Sequence, residues 1–335
     1  MAASPEIARL VKVELHLHLE GSLRPATMLS MARRHGVDLG AESAEELTAQ
    51  YQFGSFDAFL RLFMQGLEVL KDGEDFTTAT VELARELAAQ NVRYAEVTTT
   101  PYNHYRRGID MGDYVSGLNE GRRRAREDYG VVLGWTCDIP RELEEPDAGF
   151  TVDLITGPEA PEGVVALGLG GPEVGFPAGW FAGSFARARA AGLGSVPHAG
   201  ETVGPESVWA AIRDLGADRI GHGVRSVEDP ALLQYLVEHA IPLEVSMTSN
   251  VLLGVAPSIE DHQIRPLLDA GVTVTLNTDD PAYFSTDLTR ELQLAHDVHG
   301  LSVADLQEMQ RTAIRSSFAP AEVKESVLAE LTPAG

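Results

Sequence analysis

Lysine is scarce in this chain. Of 335 residues only Lys12, Lys71 and Lys324 carry an ammonium group, and 26 basic side chains stand against 50 acidic ones for a formal charge of −24. With no basic footprint, nucleic acid is excluded as a partner and a small molecule is expected instead. Cysteine is scarcer still: the single Cys137 rules out an intramolecular disulfide framework. No apolar run approaches the roughly 20 residues that span a bilayer, so no membrane partner is expected. The opening MAASPEIARLVKVELH lacks the apolar core of a secretory signal. A reducing, cytoplasmic setting is the expectation. Also missing are an HExxH helix, a P-loop with its lysine, a GxSxG elbow, and the further cysteines a His/Cys/Cys zinc site would need.

What is present is alternation. Eight short β-branched, apolar runs read as strands: VELHLHL, VRYAEVTTT, VVLGWTCDI, GVVALGLGG, LGSVPHAGE, RIGHG, PLEVSMTSN and TVTLNTD. Amphipathic helical stretches such as FTTATVELARELAAQ and DPALLQYLVEHA separate them, the pattern of repeated βα units. Nearly every run ends in polar or glycine-rich residues, which a closed barrel explains because all its strand ends share one face. The expected fold is therefore a TIM-type (β/α)8 barrel, one domain over residues 1–335. A helical insertion follows strand 1, about residues 25–75. Its stripe FGSFDAFLRLF places Phe56, Phe59, Leu60 and Phe63 on one side and reads as a lid, with an ordinary core-packing helix as the alternative. The stretch ELEEPDAGF reads as a surface turn.

His16 and His18 stand two apart on a strand, so a period of 2 puts both imidazoles on one face. His198 closes the fifth run, His222 the sixth, and Asp279–Asp280 the eighth. Such a gathering at barrel strand ends reads as a metal site. Three neutral imidazoles and a carboxylate, from His16, His18, His198 and Asp279, suit Zn, Co, Ni or Fe(II), and an open position suits catalysis; zinc is the expected ion. Glu201, three residues beyond His198, reaches the same pocket without having to be a ligand and reads as the proton carrier. His222, either a fourth imidazole ligand or a partner of the attacking water, is assigned to the water. Asp280 is expected to face away from the ion, free to contact substrate, with a helix cap before Pro281 as its alternative role.

In chain order, HLHLEGS, GLGGPE, HAGE, RIGHG, LEVSMTSN and NTDDP resemble the adenosine deaminase family within the amidohydrolases, over most of the chain. The resemblance implies a zinc ion on His16, His18, His198 and Asp279, with Glu201 protonating the purine nitrogen next to the attacked carbon and His222 handling the water. It also implies that the Gly171 N–H and the Asp280 side chain hold two other ring nitrogens, that Phe56, Phe59, Leu60 and Phe63 cover the site, and that Glu244 orients His222. Two positions depart from the usual pattern: Glu20 stands where adenosine deaminases carry Asp, and GGPE stands where they read AGDE. Adenine deaminases share that Glu and the ending DDPAYF. GLGGPE, with RYAEVTTTP and DIP, is similar to actinobacterial deaminases of adenosine or aminodeoxyfutalosine. LEVSMTSN departs from the usual EVCPTSN at Ser246 and Met247. Glu20 directly follows the metal-binding strand and is expected at the pocket mouth, where the purine substituent emerges. The expected activity is deamination of the 6-amino group of an adenine-bearing nucleoside, adenosine or a 5′-modified form. Adenine deamination, another metal-dependent hydrolysis, and a barrel that has lost catalysis are the alternatives.

Overall fold

The structure is a computed structural model describing residues 3–143 and 148–331. Its strands are β1 (Lys12–His18), β2 (Val92–Thr99), β3 (Val132–Pro140), β4 (Val164–Gly170), β5 (Gly194–Ala199), β6 (Ile220–His222), β7 (Leu243–Val245) and β8 (Val274–Leu276). They lie in chain order, each parallel to the next. The chain beyond β8 turns back onto β1: His18 N–H donates to Asp279 O at 2.8 Å and Asp279 N–H to His16 O at 3.0 Å, forming a parallel bridge at Leu17. Helices fill the connections, so the expected (β/α)8 barrel is the observed fold. No helix among the described residues is long and apolar enough to cross a membrane.

Local chemistry accounts for the elements. The helix Gly73–Ala89 starts on an Asp72/Asp75 capping box and buries Phe76, Ala79, Thr80, Leu83, Ala84 and Leu87, the spacing of a single helical face. In β1 the odd residues Val13 and Leu15 pack with Ala313 and Ile314 of the helix Val303–Ser316. Period 2 then sends His16 and His18 to the opposite, inner face.

Two readings of the chain needed correction. PLEVSMTSN is only half strand: β7 ends at Val245 and Met247–Leu252 is helical, which swings Ser249 and Asn250 back towards the strand ends. Met247 is fully buried in the core; nothing in the structure explains Ser246. In ELEEPDAGF, residues 144–147 lie outside the described residues and Ala148 already begins the helix Ala148–Thr156. The insertion after β1 is helical, with Pro25–His35, Ala44–Ala49 and Phe56–Gly66. In its aromatic stripe Phe59 and Phe63 are buried while Phe56 and Leu60 are half-buried.

Candidate active site

The carboxyl ends of the strands open into a cavity of about 680 Å³. It is lined by His18, His198, Glu201, His222, Asp279 and Asp280 and by the apolar side chains of Phe56, Phe59, Leu60, Phe63 and Met64. The stripe thus both lines the cavity and joins the core: its Phe59 ring also packs on Phe53, Tyr283 and Phe284 at 5.2–5.8 Å between centroids.

His16, His18, His198 and Asp279 each offer a ligand atom within 4.8 Å of all the others. Asp279 Oδ1 lies 3.3 Å from His16 Nε2 and 3.2 Å from His18 Nε2, and His198 Nε2 lies 3.3 Å from His18 Nε2. His16 Nδ1 meets Glu244 Oε2 at 3.0 Å and carries one proton, so Nε2, which has no hydrogen-bond partner among the described residues, is the nitrogen that faces the cluster and becomes a donor once its own proton leaves. That is the tautomer an ion requires. Burial works against charge on His16, but Asp279 and Glu244 outweigh it and push its pKa up to about 10. His18, likewise buried, is raised to about 9 by Asp280 and Asp279. A site that draws protons this strongly lacks positive charge, and a divalent cation on these four residues fits it.

Backbone shape aims the donors. Among non-glycine residues, His222 (φ 62°) and Asp279 (φ 68°) both take the left-handed conformation, which costs on the order of 1 kcal/mol and concentrates at functional sites. The turn at Asp279 breaks strand alternation, so Asp280 also faces the cavity and makes no side-chain cap on the following helix. The two adjacent acids part company. Burial opposes ionisation of Asp279, but His16 and His18 hold its pKa well below the usual range; burial and then the Asp279 charge push Asp280 well above it. Ser249 Oγ donates to Asp279 Oδ2 at 2.7 Å. Gly221 of RIGHG has a packing reason: a Cβ there would sit 2.8 Å from His16 Cε1.

Glu201 is buried, its pKa driven well above the carboxylate range by desolvation and then by Asp279 and Glu173. Its loop is held by Glu173. That carboxylate accepts from the N–H groups of Gly200, Glu201, Thr202 and Val203 and from the hydroxyls of Thr202 and Ser207, at 2.6–3.2 Å. His222 Nε2 lies 3.8 Å from Glu201 Oε1, and burial pulls the His222 pKa down to about 4. Gly171 lines the cavity at φ 87°.

Two expected placements differ. Glu244 meets His16 and Arg219 (Nε to Oε1, 2.6 Å), not His222, because β7 points it at β1 across the barrel; the neighbour of His222 Nδ1 is Asn250. Glu20 is not at the mouth. After β1 the chain tightens into a 3₁₀ turn (Glu20–Ser22) that folds the carboxylate inward, where Thr99 Oγ1, Thr100 N and His104 Nε2 converge on Oε1 at 2.8–3.2 Å. The sequence reading also missed Asp138 at the end of β3. Buried and lining the cavity, it has Oδ2 3.7 Å from His198 Nδ1, and desolvation raises its pKa to about 7. Gly168 leaves it room, since a Cβ there would fall 1.9 Å from Oδ1. The signal was present: DIP and GLGGPE place the acid opposite the glycine.

Comparison with known proteins agrees with this geometry. An aminodeoxyfutalosine deaminase of Streptomyces avermitilis is 43% identical over 326 residues, 97% of this chain and 91% of its own. Among solved structures, the adenine deaminase of Arthrobacter aurescens superposes with a TM-score of 0.92 at 34% identity, covering 96% of this chain and 98% of that one. An amidohydrolase of Burkholderia ambifaria with bound Zn superposes with a TM-score of 0.90 at 27% identity, over 99% and 93%. The adenosine deaminase family model matches residues 11–334, so the chain belongs to the adenosine deaminase family and is a purine deaminase.

Proposed function

We propose that this chain is a zinc-dependent aminohydrolase of the cytoplasm that removes the 6-amino group of an adenine-bearing nucleoside, adenosine or a 5′-modified form such as aminodeoxyfutalosine. Residues of about 25–75 act as its lid. The observation that carries the reading is Glu201, a buried carboxyl whose ionisation desolvation opposes, lining the same cavity as a quartet fit for a divalent ion. Held by His16, His18, His198 and Asp279, the ion would supply Lewis-acid activation of water. The Zn in the amidohydrolase neighbour supports zinc, while Fe(II) or Co(II) suits the same donors.

Attack on the amine-bearing carbon breaks ring aromaticity and places charge on the adjacent nitrogen, where Glu201 delivers its proton. Asp280, whose ionisation burial and the Asp279 charge both oppose, donates to a second ring nitrogen, and the Gly171 N–H to a third. His222 contacts the incoming oxygen; Asp279 accepts the first proton that oxygen loses and passes it to the amine, the second returns to Glu201, and ammonia leaves. Phe56, Phe59, Leu60 and Phe63 exclude bulk water, which strengthens each of these contacts.

A nucleoside is favoured over the free base by the polar residues on the cavity wall: Thr100, Asn103 and Glu142 line it, and Asn103 Oδ1 is buried without a hydrogen-bond partner among the described residues. A ribose would satisfy such groups, and free adenine would leave them unpaired at about 1–3 kcal/mol each. Adenine is the second reading, favoured by the likeness to the Arthrobacter enzyme. Ammonia release from adenine, adenosine, 5′-deoxyadenosine, 5′-methylthioadenosine and aminodeoxyfutalosine, with and without chelator, decides. The nucleosides should give the higher kcat/KM and chelator should abolish it. Adenine as best substrate overturns the nucleoside assignment, and silence on every purine overturns the deaminase reading.

A further inference from the structure

Behind His222 runs a buried chain of polar contacts that no step above uses. His222 Nδ1 lies 3.2 Å from Asn250 Nδ2, Asn250 Oδ1 lies 3.1 Å from His262 Nε2, and the backbone N–H of Ile264 donates to His262 Nδ1 at 3.0 Å. All three side chains are buried, with His222 at 1%, Asn250 at 0% and His262 at 2% exposure.

The direction of every bond in this chain follows from its far end. A backbone amide nitrogen only donates, so His262 Nδ1 accepts and carries no hydrogen. An imidazole keeps at least one, so His262 has it on Nε2. That hydrogen needs an acceptor, which fixes the Asn250 amide with its oxygen towards His262 and its NH₂ towards His222. An amide nitrogen also only donates. His222 Nδ1 therefore accepts, and its one hydrogen sits on Nε2, on the side where Glu201 Oε1 stands 3.8 Å away. Turning the Asn250 amide over would force hydrogen onto His262 Nδ1, facing the Ile264 N–H, and leave two donors opposed in a dry interior, at a cost of about 1–3 kcal/mol.

We propose that Ile264, His262 and Asn250 form a tautomer lock that holds His222 in the Nε2–H form, making it a hydrogen-bond donor to the oxygen that adds to the substrate. While the lock holds, His222 has no free nitrogen facing the site and cannot take the proton of the attacking water, which goes instead to the Asp279 carboxylate. Asn250 and His262 are positioning residues: they act only through the ring they orient. What His222 donates to rests on the deaminase reading; the tautomer does not.

The test is a long-range ¹⁵N–¹H correlation spectrum of the zinc-loaded full chain with labelled histidine at neutral pH, with His222 assigned by the signal lost in His222→Gln. The expected result is hydrogen on Nε2 alone for both His222 and His262. Hydrogen on Nδ1 of His222, or on both nitrogens, overturns the proposal. Asn250→Asp supplies a carboxylate that accepts from both rings, so it should move the His222 hydrogen to Nδ1, with zinc retained and kcat lowered about tenfold or more. An unmoved tautomer in a folded Asn250→Asp chain overturns the lock, and if that variant does not fold the spectrum of the unaltered chain still decides. A chain that releases no ammonia from any purine yet shows Nε2–H at His222 refutes the functional reading and leaves the lock standing.

Discussion

The ion-binding part of the cavity is walled by residues fixed to the barrel, His18 on β1, His198 on β5, His222 on β6 and Asp279 on the segment that closes β8 onto β1, with His16 of β1 behind them in the quartet. The rest of the wall comes from the helix Phe56–Gly66, part of a long connection, from Asn103 in the helix Pro101–Tyr105, and from the turn residues Glu142 and Leu253. The first region inherits its geometry from strand register, where one residue determines the direction of the next; the second takes its shape from packing between segments far apart in sequence. Chemistry built on the first should fail all at once when a ligand is removed, and recognition built on the second should yield by degrees.

The sharpest break is at the quartet. His16→Ala and His18→Ala are expected to lose ion and activity together, with turnover down about 10³-fold or more. Metal analysis beside a rate assay checks this, and full metal content in either variant removes that residue from the quartet. pH probes the same region without mutation. Without an ion, His16 and His18 are raised to about 10 and 9, so near neutrality both hold protons that must leave before their nitrogens can ligate. Affinity for zinc should therefore rise with pH and fall as pH drops below about 9, by about tenfold per unit for each proton displaced. Chelator competition at several pH values measures it; a flat profile would mean that the free site holds no displaceable proton.

Glu201 tests the ion-binding part without touching the ion. Glu201→Gln keeps the shape but has no proton to give, so it should retain the ion and lose about 10²–10⁴-fold in kcat. A metal-free Glu201→Gln chain would make Glu201 a ligand instead.

The same division explains what could be read in the sequence. The barrel and the quartet were legible because HxH, HAGE, GHG and TDD sit at strand ends, and a period of 2 fixes the side each residue faces. Asp280 lies on the cavity, where a substrate contact was expected, although the left-handed Asp279 and not alternation brings it there; the 3₁₀ turn at Glu20 folds inward a carboxylate expected at the mouth. Contacts that cross the barrel were invisible. Nothing local in LEVSMTSN says that Glu244 reaches His16 while Asn250, two helical positions past Thr248, reaches His222. His262 went unnoticed, since it lies in a connection with no periodic pattern to mark it.

The smallest expected effect separates cavity wall from core within one helix. Phe56 and Phe59 stand one turn apart and both line the cavity, but only Phe59 is buried in the aromatic cluster with Phe53, Tyr283 and Phe284. Phe59→Ala should therefore destabilise the fold by about 3 kcal/mol, the usual cost of emptying a core site, and lower the melting temperature. Phe56 is half-buried and its ring reaches only the rim of that cluster, 6.3 Å from Phe59 between centroids. Burying such a ring against substrate is worth about 1 kcal/mol, so Phe56→Ala should raise KM about fivefold with kcat, metal content and melting temperature nearly unchanged. Parallel thermal melts and Michaelis curves for the two variants make the distinction. If Phe56→Ala lost kcat instead of KM, this wall would take part in the transition state and not only in binding. If it lowered the melting temperature as far as Phe59→Ala, the stripe would be core throughout, and recognition would have to come from Asn103, Glu142 and the β4 loop.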